Sequence, residues 1–138
     1  MSECLFCKII KKEIPASIFY EDESNIAFLD VDPHALGHTM VISKTHSKNI
    51  LDLEDSRLCS LFGAVKKVVK MLDVSLVPEG FTIGINQGEA AGQVIEHLHV
   101  HVMPRHKNDN GGSIQSIVSS KQGENIEEIK DIIINKNK

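Results

Sequence analysis

Leu58, Leu61, Phe62, Val65, Val68, Val69 and Leu72 recur at three- and four-residue steps, and that spacing predicts one long amphipathic helix over Ser56–Val74. Elsewhere apolar and polar positions alternate or cluster in short β-branched runs bounded by turn residues. Ile18–Tyr20 and Ile26–Asp30 read as strands joined across the polar turn Glu21–Asn25, and Thr39–Ser43 reads as a third. Phe81–Asn86 is a fourth, entered through Pro78-Glu79-Gly80, and Leu98–Met103 a fifth, ended by Pro104. A short helix over Cys7–Ile14 stops before Pro15, and Asn125, followed by Glu128, opens a last helix to about Ile134. Most strand connections are too short for parallel crossovers, so the sheet is expected to be mainly antiparallel. The fold class is therefore α+β: five strands, one long helix and short terminal helices. Residues 1–107 form the expected domain, and 108–138, beyond the break at Asn108–Gly112, an extension packing on it.

The last strand carries an unusual polar face. In His97-Leu98-His99-Val100-His101-Val102 three histidines alternate with three aliphatic residues. A strand sends successive side chains to opposite faces, so the imidazoles share one face while Leu98, Val100 and Val102 hold the other to the core. Imidazole is base, acid, nucleophile or metal ligand near neutrality, and each protonated ring disfavours protonation of its neighbour. An affinity tag lacks interleaved aliphatics and sits at a terminus; this run does neither.

Composition narrows the function classes. Over 138 residues the chain is 41% hydrophobic and 25% charged, ordinary for a globular domain. A net charge of -4 gives no electrostatic reason to bind nucleic acid or a membrane surface. No apolar run approaches the roughly 20 residues of a membrane span, and no signal-peptide pattern opens the chain, so the expected compartment is the cytoplasm. Reduced thiols are expected there, which favours a metal site over a disulfide for Cys4 and Cys7. Cys59, inside the helical apolar pattern, is expected in the core.

His97–Met103 matches the alternating His signature of the histidine triad (HIT) superfamily, and the chain resembles its Hint-type branch from about Cys4 to Arg105. The likeness includes Lys12-Glu13-Ile14-Pro15, Ala27-Phe28-Leu29-Asp30, Gly37-His38-Thr39, Val41-Ile42-Ser43-Lys44-Thr45-His46, and Asn86-Gln87-Gly88 with Gly92-Gln93. The resemblance implies hydrolysis at the α-phosphate of purine nucleoside phosphoramidates or related conjugates through a covalent nucleotidyl-histidine, without an organic cofactor. A neutral imidazole suits that attack, since anionic nucleophiles are repelled by phosphoryl oxygens. By resemblance His99 is the nucleophile, oriented by the carbonyl of His97; His101 donates to the phosphate and the leaving group; and His38 contacts the phosphate. Asn86, Gly92, Gln93 and Val94 belong to the phosphate and ribose region, Asp30 holds the ribose hydroxyls, and Phe6, Ile9, Phe28 and Val31 wall the purine. For those four, ordinary core packing is the alternative. Val94 stands where many relatives carry Ser or Thr, the chain has no Trp of the eukaryotic C-terminal motif, and His101 stands where related uridylyltransferases carry Gln.

Cys4-x-x-Cys7 with His46 and His97 is a second constellation. Two thiolates and two imidazoles make a closed tetrahedral zinc set, the structural kind, and bacterial-type members resemble this chain in carrying one. The alternative is two reduced cysteines without metal. A rival puts catalytic zinc on His97, His99 and His101, but it leaves Asp30 and the Gly88–Gln93 loop without a role. Other readings of the site are a dinucleoside polyphosphate hydrolase or a nucleotide-binding regulatory protein with little turnover. The family resemblance also implies a homodimer, and Val65, Val68, Val69, Met71 and Leu72 cover more of the long helix than one sheet needs.

Overall fold

The computed structural model describes residues 3–120, 123 and 125–138; Met1 and Ser2 of the expected domain, and Lys121, Gln122 and Glu124 of the expected extension, lie outside the described residues. Five antiparallel strands, β1 (Ile18–Glu21), β2 (Asn25–Leu29), β3 (Thr39–Ser43), β4 (Gly80–Gly84) and β5 (His99–Arg105), make one sheet in the order β1-β2-β3-β5-β4. Helices α1 (Leu5–Ile10), α2 (Asp55–Leu76) and α3 (Ile126–Lys136) complete the chain, as the α+β reading requires.

The period of two decides which core each strand residue joins. Ala27, Val41, Val100 and Val102 point to one face, where Leu61, Ala64, Val65, Val68 and Leu72 of α2 cover them. Ile26, Phe28, Met40 and Ile42 point to the other, beneath Phe6 and Ile9 of α1. Register places Ile42 opposite His99 and Met40 opposite His101, so the histidines lie on the α1 face. Leu98, Val100 and Val102 are buried, as the alternation predicts.

Several boundaries differ, each for a local reason. α1 begins before Cys7 because the Cys4 thiol accepts from the Cys7 N–H at 3.3 Å and caps it, a residue type outside the usual cap set. It ends well before Pro15, with Lys12 already left-handed at φ 64°. β5 runs through Pro104 to Arg105. The Arg105 carbonyl accepts from Glu79 N–H on the β4 side, so Pro104 turns its missing donor to the other side, where β3 pairing has ended at Thr39 opposite Val102. Cys59 is exposed on α2, not core, because Leu58 and Leu61 take the inward positions of that turn. Val65, Val68 and Leu72 are all spent on the chain's own sheet. Every described residue after Arg105 is exposed, and α3 buries none of its isoleucines in the single chain.

Candidate functional site

Hydrogen-bond partners fix the proton on each triad ring. The Nε2 of His97 lies 2.9 Å from the Ser43 carbonyl, which can only accept, so Nε2 carries the hydrogen and Nδ1 presents a lone pair. The Nδ1 of His99 lies 2.7 Å from the His97 carbonyl, so that ring is protonated on Nδ1 and its Nε2 is free to attack. His38 accepts the His34 backbone N–H on Nδ1 at 3.1 Å, which puts its own hydrogen on Nε2. That hydrogen points at Nδ1 of His101, 2.9 Å away, and leaves the His101 hydrogen on Nε2. Adjacent rings on one strand thus present opposite chemistry: a lone pair on His99, a donor on His101.

Burial keeps these rings neutral. It lowers His99, against the opposing pull of the His97 carbonyl and Asp30. Burial, with His99 and His38 nearby, takes His101 down to about 4. His38 is lowered by burial as well, partly offset by Asp30, whose carboxylate stands 3.6 Å from its Nε2. Gly37 makes the His38 position possible: its φ is +87°, and a Cβ there would meet Leu76 Cδ1 at 2.5 Å.

The described residues contain two groups with metal-ligand chemistry, and they differ. In Cys4, Cys7, His46 and His97 the ligand atoms face one another: Cys4 Sγ to His97 Nδ1 is 3.5 Å, Cys7 Sγ to His46 Nδ1 is 3.3 Å, and Cys7 Sγ to His97 Nδ1 is 3.6 Å. Zn–S bonds of about 2.3 Å and Zn–N bonds of about 2.0–2.1 Å at a tetrahedral angle put such edges near about 3.6 Å. The His97 Nδ1 lone pair points into this group. Burial and the adjacent Cys4 thiol push the Cys7 thiol up to about 11, so a thiolate there needs a cation beside it. The donor set fits zinc. Asp30, His38 and His101 do not fit: a ring accepting on Nδ1 from His34 would have to ligate through Nε2 as an imidazolate, and the 2.9 Å His38–His101 separation is that of a hydrogen bond.

Phe6, Ile9 and Phe28 are buried together in the α1-side core, Phe6 standing edge-on to His99 at 5.2 Å between centroids and to Phe28 at 5.4 Å. Val31, beside Asp30, is 97% exposed. Asp30 accepts the Asp32 N–H on Oδ1 at 2.9 Å. Asn86 lines a cavity of about 380 Å³ with His38 and His101. The loop after it makes one 3-10 turn at Glu89–Ala91 between Gly88 (φ 89°) and Gly92 (φ 95°), conformations that favour glycine. The exposed Val94 keeps a backbone N–H with no partner among the described residues. Sequence reasoning missed the His34 N–H and the Ser43 carbonyl, because any residue type supplies a backbone group. It also missed Thr82, Met103, Ile114 and Ile117, which line the same cavity as His101; of these Thr82 and Met103 were legible only through the β4–β5 register.

The HIT domain family model matches residues 11–108. An uncharacterized HIT-like protein of Methanocaldococcus jannaschii is 44% identical over 106 residues, covering 77% of this chain and 81% of that protein. An adenosine 5′-monophosphoramidase of Schizosaccharomyces pombe is 35% identical over 108 residues, 78% of each chain. A crystal structure of a HIT family member from Bacillus subtilis, 35% identical, superposes with a TM-score of 0.85 over 96% of this chain and 94% of the other.

Proposed function

Since the chain belongs to the HIT domain family, we propose that it is a nucleotide hydrolase cleaving purine nucleoside phosphoramidates, or related nucleotide conjugates, at the α-phosphate through a nucleotidyl-His99 intermediate. The relative named as an adenosine 5′-monophosphoramidase supports the substrate class. The observation that carries the reading is the protonation pattern: a free Nε2 on His99 beside a donor Nε2–H on His101.

His99 Nε2 attacks the α-phosphorus, and the bond from phosphorus to the leaving nitrogen breaks. His101 Nε2–H donates a hydrogen bond to that nitrogen, which takes a proton from solvent and departs as the amine. The His97 carbonyl, accepting from His99 Nδ1–H, stabilises the positive charge that develops on the attacking ring. Water then attacks the nucleotidyl phosphorus, its proton passes to solvent, and the nucleoside monophosphate leaves with His99 restored. Asn86 and the Val94 N–H hold phosphate oxygens, Asp30 the ribose hydroxyls, and the base rests between Val31 and the Phe6–Ile9–Phe28 cluster. Cys4, Cys7, His46 and His97 would hold zinc, which would supply a structural cross-link. His97 would then serve the metal through Nδ1 while its carbonyl orients the nucleophile.

Alkaline quench during turnover of adenosine phosphoramidate, followed by intact-mass and peptide analysis, should find one AMP moiety on His99. His99→Ala should lose the adduct and several orders of magnitude in turnover while AMP affinity stays within about tenfold, because the lost interaction exists mainly in the transition state. Wild-type turnover with no adduct at any time point, or near-normal turnover in the variant, overturns the covalent route.

A further inference from the structure

The segment from Asn86 to Gln93 is a loop exposed from Gln87 to Gly92 and half-buried at its two ends, and with no side chain fully buried hydrophobic packing does not hold its shape. Gln93 does. Its Oε1 accepts the Gly88 N–H at 2.9 Å, while its backbone N–H donates to the Gly88 carbonyl at 3.1 Å, closing the loop into a ring. Its Nε2 donates to the carbonyls of Lys48 at 2.8 Å and Ile95 at 3.0 Å. One donor and two carbonyls admit a single orientation of the amide, and both of its hydrogens are committed.

The Lys48 end is moored in turn. Leu98 N–H donates to the Ser47 carbonyl at 2.7 Å, Ile50 N–H donates to Gln87 Oε1 at 3.2 Å, and Lys48 pairs with Glu96 at 3.3 Å. Residues 47–50, next to His46, are therefore bonded to both ends of the loop.

We propose that Gln93 is a positioning residue: its amide clasps the 88–93 loop to residues 47–50 and sets the direction of the Val94 N–H, and it does not touch the nucleotide. This departs from the expectation that Gln93 belongs to the nucleotide contacts, and it rests on the loop's role as phosphate holder proposed above. A side chain with both hydrogens already bonded to carbonyls has none left for a phosphate without opening the loop.

Gln93→Ala removes the clasp, and Gln93→Glu keeps the acceptor while setting a carboxylate against two carbonyls. In nucleotide-free Gln93→Ala, which loses the acceptor, the Gly88 amide should exchange with solvent hydrogen at least about tenfold faster than in wild type. AMP affinity, read by calorimetry, should fall about tenfold while adenosine, which has no phosphate, stays within about twofold. Unchanged Gly88 exchange overturns the clasp, and with weakened AMP binding it means that Gln93 touches the nucleotide directly. Equal losses for AMP and adenosine overturn it too, since they mean a general loosening of the site. If wild type binds neither ligand, the phosphate reading fails, and Gly88 exchange still decides whether the clasp exists.

Discussion

At the scale of single residues, function turns on which nitrogen carries a hydrogen, and backbone groups decide it. The His97 carbonyl sets His99, the Ser43 carbonyl sets His97, and the His34 N–H sets His38 and through it His101. His101, held at about 4 against the usual 6.5 by burial and its neighbouring histidines, keeps a single proton across the neutral range. Turnover should therefore not halve near 6.5 as the pH falls from 7, because burial holds both His101 and the attacking His99 below the ordinary value. Stability behaves differently. Between about pH 4 and 6.5 the unfolded chain takes up a proton at His101 that the folded chain refuses. The contribution of this group is full above pH 6.5 and is lost as pH falls toward 4. Melting temperature should drop from pH 7 to pH 5, and drop less in His101→Gln. A drop of the same size in the variant would show that His101 is not the group titrating.

At the scale of elements, the alternation of His97–Val102 was enough to place three imidazoles on one face and three aliphatics on the other, because a strand's period is two regardless of context. The inward stripe of α2 was legible for the same kind of reason. Ends were not. Cys4 caps α1 through its thiol, and Pro104 sits inside β5 because β3 stops beside it; neither is visible without the neighbouring element. Cys59 shows the limit of a stripe, since a position one step off the inward line faces solvent. The hydrogen bonds from Gln93 to the carbonyls of Lys48 and Ile95 were not legible, because backbone partners leave no mark on residue type. α1 raises a matter of energetics. A helix of six residues is too short to persist alone, and Phe6 and Ile9 are its buried anchors. Zinc bridging Cys4 and Cys7 to His46 and His97 would tie α1 to the strand that carries the histidines. Elemental analysis should find one zinc per chain, abolished in Cys7→Ser. Chelation should lower the melting temperature and open the peptide bonds around residues 4–14 to protease before any others. Zinc-free protein with intact thiols after zinc supplementation overturns the site, and loss of activity with fold and α1 protection unchanged favours a metal on the triad instead.

At the scale of the whole molecule, the two edges of the sheet are built differently. β1 breaks register between Ile18 and Tyr20, and Glu21 at its end pairs with Lys12 and Lys44, so that edge is kinked and charged against further pairing. β4, Gly-Phe-Thr-Ile-Gly, carries no charge and leaves Ile83 more than a third exposed on the α2 side of the sheet. Phe62 of α2 is 45% exposed as well. An uncharged edge strand and exposed apolar groups on the helix side call for a cover, and a second copy would supply both parts at once, with β4 paired to its own symmetry mate and the α2 helices packed across the axis. Residue choice in the test follows from the core. Val68 is fully buried against the chain's own sheet, so Val68→Asp unfolds the protein and says nothing of association. Ile83→Lys and Phe62→Asp act on the proposed surface without entering that core. Sedimentation equilibrium at tens of micromolar should give wild type about twice the 15.3 kDa of one chain, and either variant, with its circular dichroism unchanged, the mass of one. Wild type at the mass of a single chain overturns the pairing, and folded variants that stay dimeric move it away from β4 and α2.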